Sequence, residues 1–244
     1  MLRFFFVFLW IAVISCILYP PTLIASLLPW TKRHVPHLFA RVWSKAILWV
    51  SGVKVTLIGL ENIDPQKPYV FAANHQSQYD IFTLMGYLPV QFKWMAKKSL
   101  FYIPIVGWGM KACGSIPIDR ENVKEAYKAL LKAIEKIKQG YSIVVFPEGT
   151  RSRDGRIGPF KSGGIVLALR AGVPIVPVTI IGTRHILPKG GMRVQPGKVI
   201  IVVDKPIEVA GYTERDKNRL ANLLRAIVVE NYEKYEPKLS DRSS

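Results

Sequence analysis

Beyond Gly52 the chain alternates short apolar runs of β type with stretches of helical period, and this alternation limits its fold more than any other feature. Runs at 53–58, 69–73, 91–96, 142–146, 175–180 and 199–203 read as strands; 81–87, 123–139, 165–171 and 214–232 read as helices. In 123–139, Val123, Ala126, Tyr127, Leu130, Leu131, Ile134 and Ile137 fall on one side of a helix. Strands separated by helices pack as α/β layers, so the expectation is a mixed, mostly parallel central sheet flanked by helices. A chain of 244 residues can build one such domain with a sizeable core. The expected divisions are a membrane-anchoring two-helix segment at 1–52, the α/β body at 53–235 and a polar tail at 236–244.

The first segment obeys different rules. Residues 4–19 are almost purely apolar, Pro20-Pro21 interrupts them, and 22–28 resume the run until Pro29. Crossing a bilayer takes about 20 continuous apolar residues, a length reached here only through two prolines that tend to kink a helix. Residues 34–50 follow with Val35, Leu38, Phe39, Val42, Trp43, Ala46, Ile47 and Val50 at helical spacing, and Arg41 and Lys45 on another face. Trp30, Trp43 and Trp49 suit a lipid–water boundary. A cleaved signal peptide and a single spanning helix are two readings. The sequence favours a third: a proline-broken helical hairpin embedded in one leaflet, with 34–50 lying along its surface.

Composition supports a membrane address. Half of the residues are hydrophobic, yet 34 Lys and Arg face 17 Asp and Glu, for a formal charge of +17. That pairing fits an anionic phospholipid surface, where each nearby cation contributes about 1 kcal/mol. Nucleic acid is not expected as a partner, because the sequence carries no helix-turn-helix spacing, zinc-finger pattern or aromatic RNP-like run. Two cysteines in unrelated apolar contexts, Cys16 and Cys113, argue for a reducing compartment rather than a disulfide framework. The four histidines offer no zinc-like spacing with carboxylates, so no metal site is expected.

Two motifs carry chemistry. Asn74-His75-Gln76-Ser77-Gln78-Tyr79-Asp80 follows the run at 69–73. If a helix starts near Ser77, His75 lies in the loop before it and folds back towards Asp80, whose carboxylate then orients the imidazole as a base. Ser77-x-x-Asp80 is equally a capping box, and Asn74-His75 an ordinary turn. Phe146-Pro147-Glu148-Gly149-Thr150-Arg151-Ser152 offers a flexible backbone and donors suited to an anion, with Arg151 able to take a phosphate bidentately and Glu148 beside it to orient the guanidinium. Pro-Glu-Gly is also common turn chemistry. Arg120 closes the run Gly114–Arg120, and Gly163-Gly164 opens the next helix as an anion site or a tight turn. No Gly-x-Ser-x-Gly elbow is present to supply a nucleophile.

Asn74-His75-x4-Asp80, Ile118-Asp119-Arg120, Phe146 to Ser152 and Val173-Pro174-Ile175-Val176-Pro177-Val178 resemble, in order and spacing, the four blocks of the glycerolipid acyltransferases, and within them the bacterial enzymes that acylate 1-acyl-glycerol-3-phosphate. The resemblance covers about residues 54–178; Ile116-Pro117 departs from the bulky apolar residues more usual before Ile-Asp-Arg. It implies that an acyl thioester on acyl carrier protein or coenzyme A, a co-substrate rather than a bound cofactor, acylates the free hydroxyl of lysophosphatidic acid. His75 would act as general base and Asp80 as its orienter. Arg120, Glu148, Gly149, Thr150 and Arg151 would surround the glycerol phosphate, joined by Lys97 or Lys98; the apolar run 100–116 is a candidate wall for the acyl chain, though core packing explains the run equally well. The implied location is the cytoplasmic face of the cell inner membrane. Another lyso-lipid or glycerol-3-phosphate as acceptor, and a non-enzymatic membrane-surface protein, are the alternatives.

Overall fold

The structure, a computed structural model, describes residues 2–28, 30–31 and 34–240. Its centre is a seven-stranded sheet of β1 (Val53–Ile58), β2 (Val70–Ala73), β3 (Phe92–Lys97), β4 (Ile116–Ile118), β5 (Ser142–Val145), β6 (Ile175–Ile181) and β7 (Gly197–Val203), in the spatial order β1-β7-β6-β2-β5-β3-β4. Every pairing is parallel except β6 with β7. The expected mixed, mostly parallel sheet is therefore the observed one. Strands β2, β5 and β6 are buried at every residue, which is why they read as unbroken apolar runs rather than as alternation.

Helices cover both faces. On one lie α1 (Leu2–Leu27), α2 (Val35–Val50) and α3 (Tyr79–Tyr87), whose Val7, Leu48, Tyr79 and Leu84 share a core with Phe71 and Val144 of the sheet. The short α4 (Val106–Ala112) packs beside α1. On the other lie α5 (Val123–Lys138), α6 (Gly163–Ala171) and, beyond the four-residue α7 (Thr183–Ile186), α8 (Lys217–Tyr235). Ala129, Ala133, Leu167 and Leu220 form the core there with Val70 and Ile143. Helix α5 starts at Asn122, whose side chain accepts from the Glu125 N–H at 3.1 Å.

Three expectations change. The helix break at Pro20-Pro21 does not occur: α1 is continuous through both prolines, and at 26 residues it is about 39 Å long. Each proline removes a backbone donor, and the Thr22 hydroxyl donates to the Leu18 carbonyl at 2.5 Å in the same turn. The span Phe5–Leu27 is long and apolar enough to cross a membrane, with Phe5, Leu9, Ile17 and Ile24 each more than 60 % exposed; it points to membrane association. Second, α2, expected to lie along a leaflet surface, also packs into the body of the protein. It buries His37, Ser44, Ile47 and Leu48, and Ser51 after it shares a 2.7 Å hydrogen bond with Tyr79 of α3. The contacts Trp10–Trp49 and Ser15–Trp43 make α1 and α2 an antiparallel hairpin. Third, the start of the expected polar tail is helical, α9 (Pro237–Ser240), with Leu239 packed on the α8 core; 241–244, like Pro29, lie outside the described residues.

Candidate active site

Parallel strands β2, β3, β4, β5 and β6 end on one edge of the sheet, the edge where open α/β folds place their ligands. Just past β2, the buried Asn74 side chain donates to the Ile180 carbonyl at 2.9 Å and accepts from its N–H at 2.7 Å. It thereby adds one rung between the end of β2 and β6, and fixes where the next residue begins. That residue is His75.

Asp80 sits in the first turn of α3, fully buried, and its two oxygens are fully engaged. Oδ2 accepts from His75 Nδ1 at 2.7 Å and from the backbone N–H groups of Gln76 at 2.7 Å and Ser77 at 2.9 Å. Oδ1 accepts from the Thr183 hydroxyl at 2.5 Å. An imidazole nitrogen this close to a carboxylate carries a proton, so in the neutral ring the lone pair is on Nε2. The turn reading and the base reading thus describe the same group: Asp80 closes the 76–80 turn and holds the ring. Ser77 is only half a capping box, since its hydroxyl accepts from Tyr79 N–H and donates to the Leu187 carbonyl at 2.6 Å. The His75 ring lies flat on Phe146 with centroids 3.9 Å apart, and Phe146 stacks in turn on Trp94 at 5.7 Å.

The 146–152 loop leaves β5 next to this turn. Its Glu148 does not pair with Arg151 as the sequence proposed. Oε1 accepts from the main-chain N–H of His75 at 2.7 Å and Oε2 from that of Gly158 at 2.9 Å. Burial pushes the Glu148 carboxyl above its ordinary value, and these two backbone bonds oppose the shift. Ser152 N–H donates to the His75 carbonyl at 2.8 Å, so the loop grips His75 on both sides. Gly149 has φ +81°, and a Cβ there would lie 2.8 Å from the Arg120 guanidinium and 3.3 Å from the Lys161 ammonium. The positive φ favours glycine at this corner, and a Cβ would displace the tips of these two side chains. Gly164 has a packing role: a Cβ would meet Val145 of β5 at 2.8 Å.

Cations crowd the same loop. Arg120 donates to the Gly149 carbonyl, and Lys189 Nζ reaches Thr150 Oγ1 at 3.0 Å and the Arg151 carbonyl at 2.7 Å. The Arg151 guanidinium has no protein partner among the described residues. Lys97 is exposed at the end of β3 in register with Ile118, two residues before Arg120. Lys98 lies towards Glu125 of α5. Lys161 and Lys189 were not anticipated. The lysine just before Gly163-Gly164 was a usable signal for the first, whereas nothing local marks Lys189. The run 100–116 is not all core: Ile103, Ile105, Val106 and Trp108 stay about half exposed beside α1. Among the described residues no group of three or more His, Cys, Asp or Glu is placed to hold a metal.

A carboxylate-held imidazole beside a glycine turn ringed by cations has the groups needed to deprotonate a hydroxyl on an anionic substrate. Residues 54–181 match the family model described as Acyltransferase. The chain belongs to that family. It is 33 % identical over 219 residues to a 1-acyl-sn-glycerol-3-phosphate acyltransferase of Pseudomonas aeruginosa, covering 88 % of this chain and 83 % of that one. The chloroplastic relative of Brassica napus with the same activity in its name is 38 % identical over 178 residues, 72 % of this chain; the match spans about half (51 %) of that longer protein. Among solved structures, the acyltransferase PlsC of Thermotoga maritima superposes with a TM-score of 0.79 at 28 % identity, covering 96 % of this chain and 97 % of PlsC. The acyltransferase motifs thus lie on a shared fold as well as a shared sequence.

Proposed function

We propose that the protein transfers a fatty acyl group from an acyl thioester, on acyl carrier protein or coenzyme A, to the sn-2 hydroxyl of 1-acyl-glycerol-3-phosphate, giving phosphatidic acid. The observation that carries this reading is the 2.7 Å contact of His75 Nδ1 with Asp80 Oδ2, on a backbone tied to the cation-bearing 146–152 loop. His75 Nε2 takes the hydroxyl proton as the alcohol oxygen attacks the thioester carbonyl; the tetrahedral intermediate collapses, the carbon–sulfur bond breaks and the thiolate takes the proton back from His75. General-base help of this kind is worth about 10²–10⁴-fold. Arg120 and Arg151, with Lys161, Lys189 and Lys97 around them, hold the acceptor's phosphate, and positioning supplies much of the remaining acceleration.

The relatives' names support the acceptor, and the exposed apolar length of α1 supports a membrane-borne one. In this reading α1 and α2 seat the protein on the inner membrane from the cytoplasmic side, with 53–235 as the transfer domain. The test offers the purified full-length protein in phospholipid vesicles a labelled acyl thioester with lysophosphatidic acid, glycerol-3-phosphate or a zwitterionic lyso-lipid. Labelled phosphatidic acid from the first alone is the expected result. Equal or greater product from another acceptor would reassign the substrate.

A further inference from the structure

The proposed reaction joins a lipid to a donor that arrives from water, and the two faces of the sheet differ in a way that suits them. The face covered by α1 and α2 carries the exposed apolar length of α1. The opposite face carries α5, whose buried side, Ala129, Ala133 and Ile137, is well seated. Its outer side is not that of an ordinary solvated helix. Val123 is 84 % exposed, and Tyr127 and Leu131 are nearly half exposed. Spaced by four residues, they form one apolar ridge about 12 Å long.

A row of cations runs beside that ridge. Lys124, Lys128 and Lys132 share the i, i+4 spacing one position on, and all three are exposed. Of the nearby carboxylates, Glu125 bonds Lys128 at 2.8 Å and Glu214 bonds Arg170 at 2.7 Å. Asp119, Glu121 and Glu135 form no ion pair among the described residues, yet the lysines of α5 still outnumber its two glutamates. Arg170 itself lies over the Tyr127 ring at 5.5 Å. Lys124 and Lys132 are not ion-paired among the described residues. The ridge also begins at the reaction edge, because Asn122 caps α5 two residues after Arg120, whose guanidinium bonds the Gly149 corner. An exposed apolar ridge with a cationic flank complements a partner with apolar residues set among acidic ones.

We propose that α5 is the docking surface for an acidic protein that carries the acyl thioester, received on Val123, Tyr127 and Leu131 and steered by Lys124, Lys128 and Lys132. This rests on the thioester-donor reading above and makes the carrier-borne thioester the donor that the chain is shaped for. A ridge this short supports a brief encounter in which charge governs the association rate, as turnover of a carrier requires. Lipid is the less fitting occupant, since the ridge lies across the sheet from α1.

The experiment measures transfer to lysophosphatidic acid by the full-length protein in vesicles, from one fatty acid presented either on acidic acyl carrier protein or on coenzyme A. The variants are Lys124→Glu/Lys128→Glu/Lys132→Glu; Lys124→Ala/Lys132→Ala, which keeps the Lys128–Glu125 pair; and Leu131→Ser. For the carrier-borne donor the triple variant is expected to raise KM about tenfold or more and to flatten the salt dependence, with the other two changing it in the same direction. Kinetics with the coenzyme A thioester stay within about twofold. An equal loss with both donors, no change with either, or a loss confined to vesicle binding would overturn the docking surface. If the wild type uses neither donor, the acyl-transfer reading fails by itself. Docking is then decided by fluorescence anisotropy of labelled carrier: weaker binding to the triple variant supports it, and unchanged binding or none to the wild type overturns it.

Discussion

The main-chain N–H of His75 donates to Glu148 Oε1 at 2.7 Å, which ties the proposed base to the loop after β5 through its backbone. A carboxylate used in this way sets geometry instead of gripping substrate. Glu148→Ala should therefore lower kcat by about 10²-fold or more with the acceptor KM changed little, because a small displacement of a base is costly. Glu148→Gln should recover part of the loss, since its amide oxygen still serves one of the two backbone donors. A large rise in acceptor KM at unchanged kcat would return Glu148 to phosphate binding.

His75→Ala should abolish transfer while the protein keeps its fold, as judged by circular dichroism and vesicle flotation. Asp80→Asn should be nearly as severe. Its amide presents at most one acceptor oxygen where Asp80 serves His75, Gln76, Ser77 and Thr183 with two. Near-wild-type activity in folded His75→Ala would end the general-base mechanism.

Arg151→Ala should raise the acceptor KM about tenfold or more with a smaller effect on kcat, the mark of an anion contact made equally in ground and transition states. Arg120→Ala should act similarly, with an added kcat loss because its guanidinium also braces the Gly149 carbonyl. Steady-state kinetics with varied lysophosphatidic acid separate the two.

Burial, followed by the nearby charges of Arg41, Lys93 and His34, pushes His37 down to about 3. Folded His37 stays neutral while the unfolded chain takes up a proton below its ordinary value near 6.5. The stability held above pH 6.5 is consequently lost as pH falls towards 3, by about 2 kcal/mol at pH 5. Thermal unfolding in detergent between pH 7.5 and 5 should show this slope, and His37→Leu should flatten it.

Deleting 2–27 should give a protein that floats poorly with vesicles, loses activity on bilayer substrate and is less stable, because Val7 leaves the core it shares with Leu48. Deleting through residue 52 should instead give aggregated protein, because it uncovers the core at Ile47 and Leu48 and removes the Ser51–Tyr79 bond. Gel filtration and flotation report both outcomes. For topology, Arg3→Cys in a Cys16→Ser/Cys113→Ser background should be labelled only from the far side if α1 spans the bilayer, and from the near side if it lies in one leaflet.

The sheet and the His75–Asp80 pair were legible because each has a local cause. Buried parallel strands announce themselves as apolar runs, and five residues suffice to fold an imidazole back onto a carboxylate across a helix start. What was illegible depended on distant partners. Glu148 reads as a neighbour of Arg151 in sequence, but its oxygens meet backbone at positions 75 and 158. Lys161 and Lys189 reach the Gly149 loop only through the crossing of other segments. The continuity of α1 was hidden too, since two adjacent prolines argue for a break whatever the surrounding chain supplies.

Asp80 takes one of its bonds from Thr183, and Asn74 two of its bonds from Ile180, more than a hundred residues along the chain. Contacts this distant form only after the chain between them has been laid down, and they are lost when either side opens. A molecule whose β6 has pulled away keeps His75 and Asp80 in its sequence but loses the partners that place them. On the proposed mechanism, activity would therefore report complete assembly: a partly folded molecule would be inactive rather than unselective.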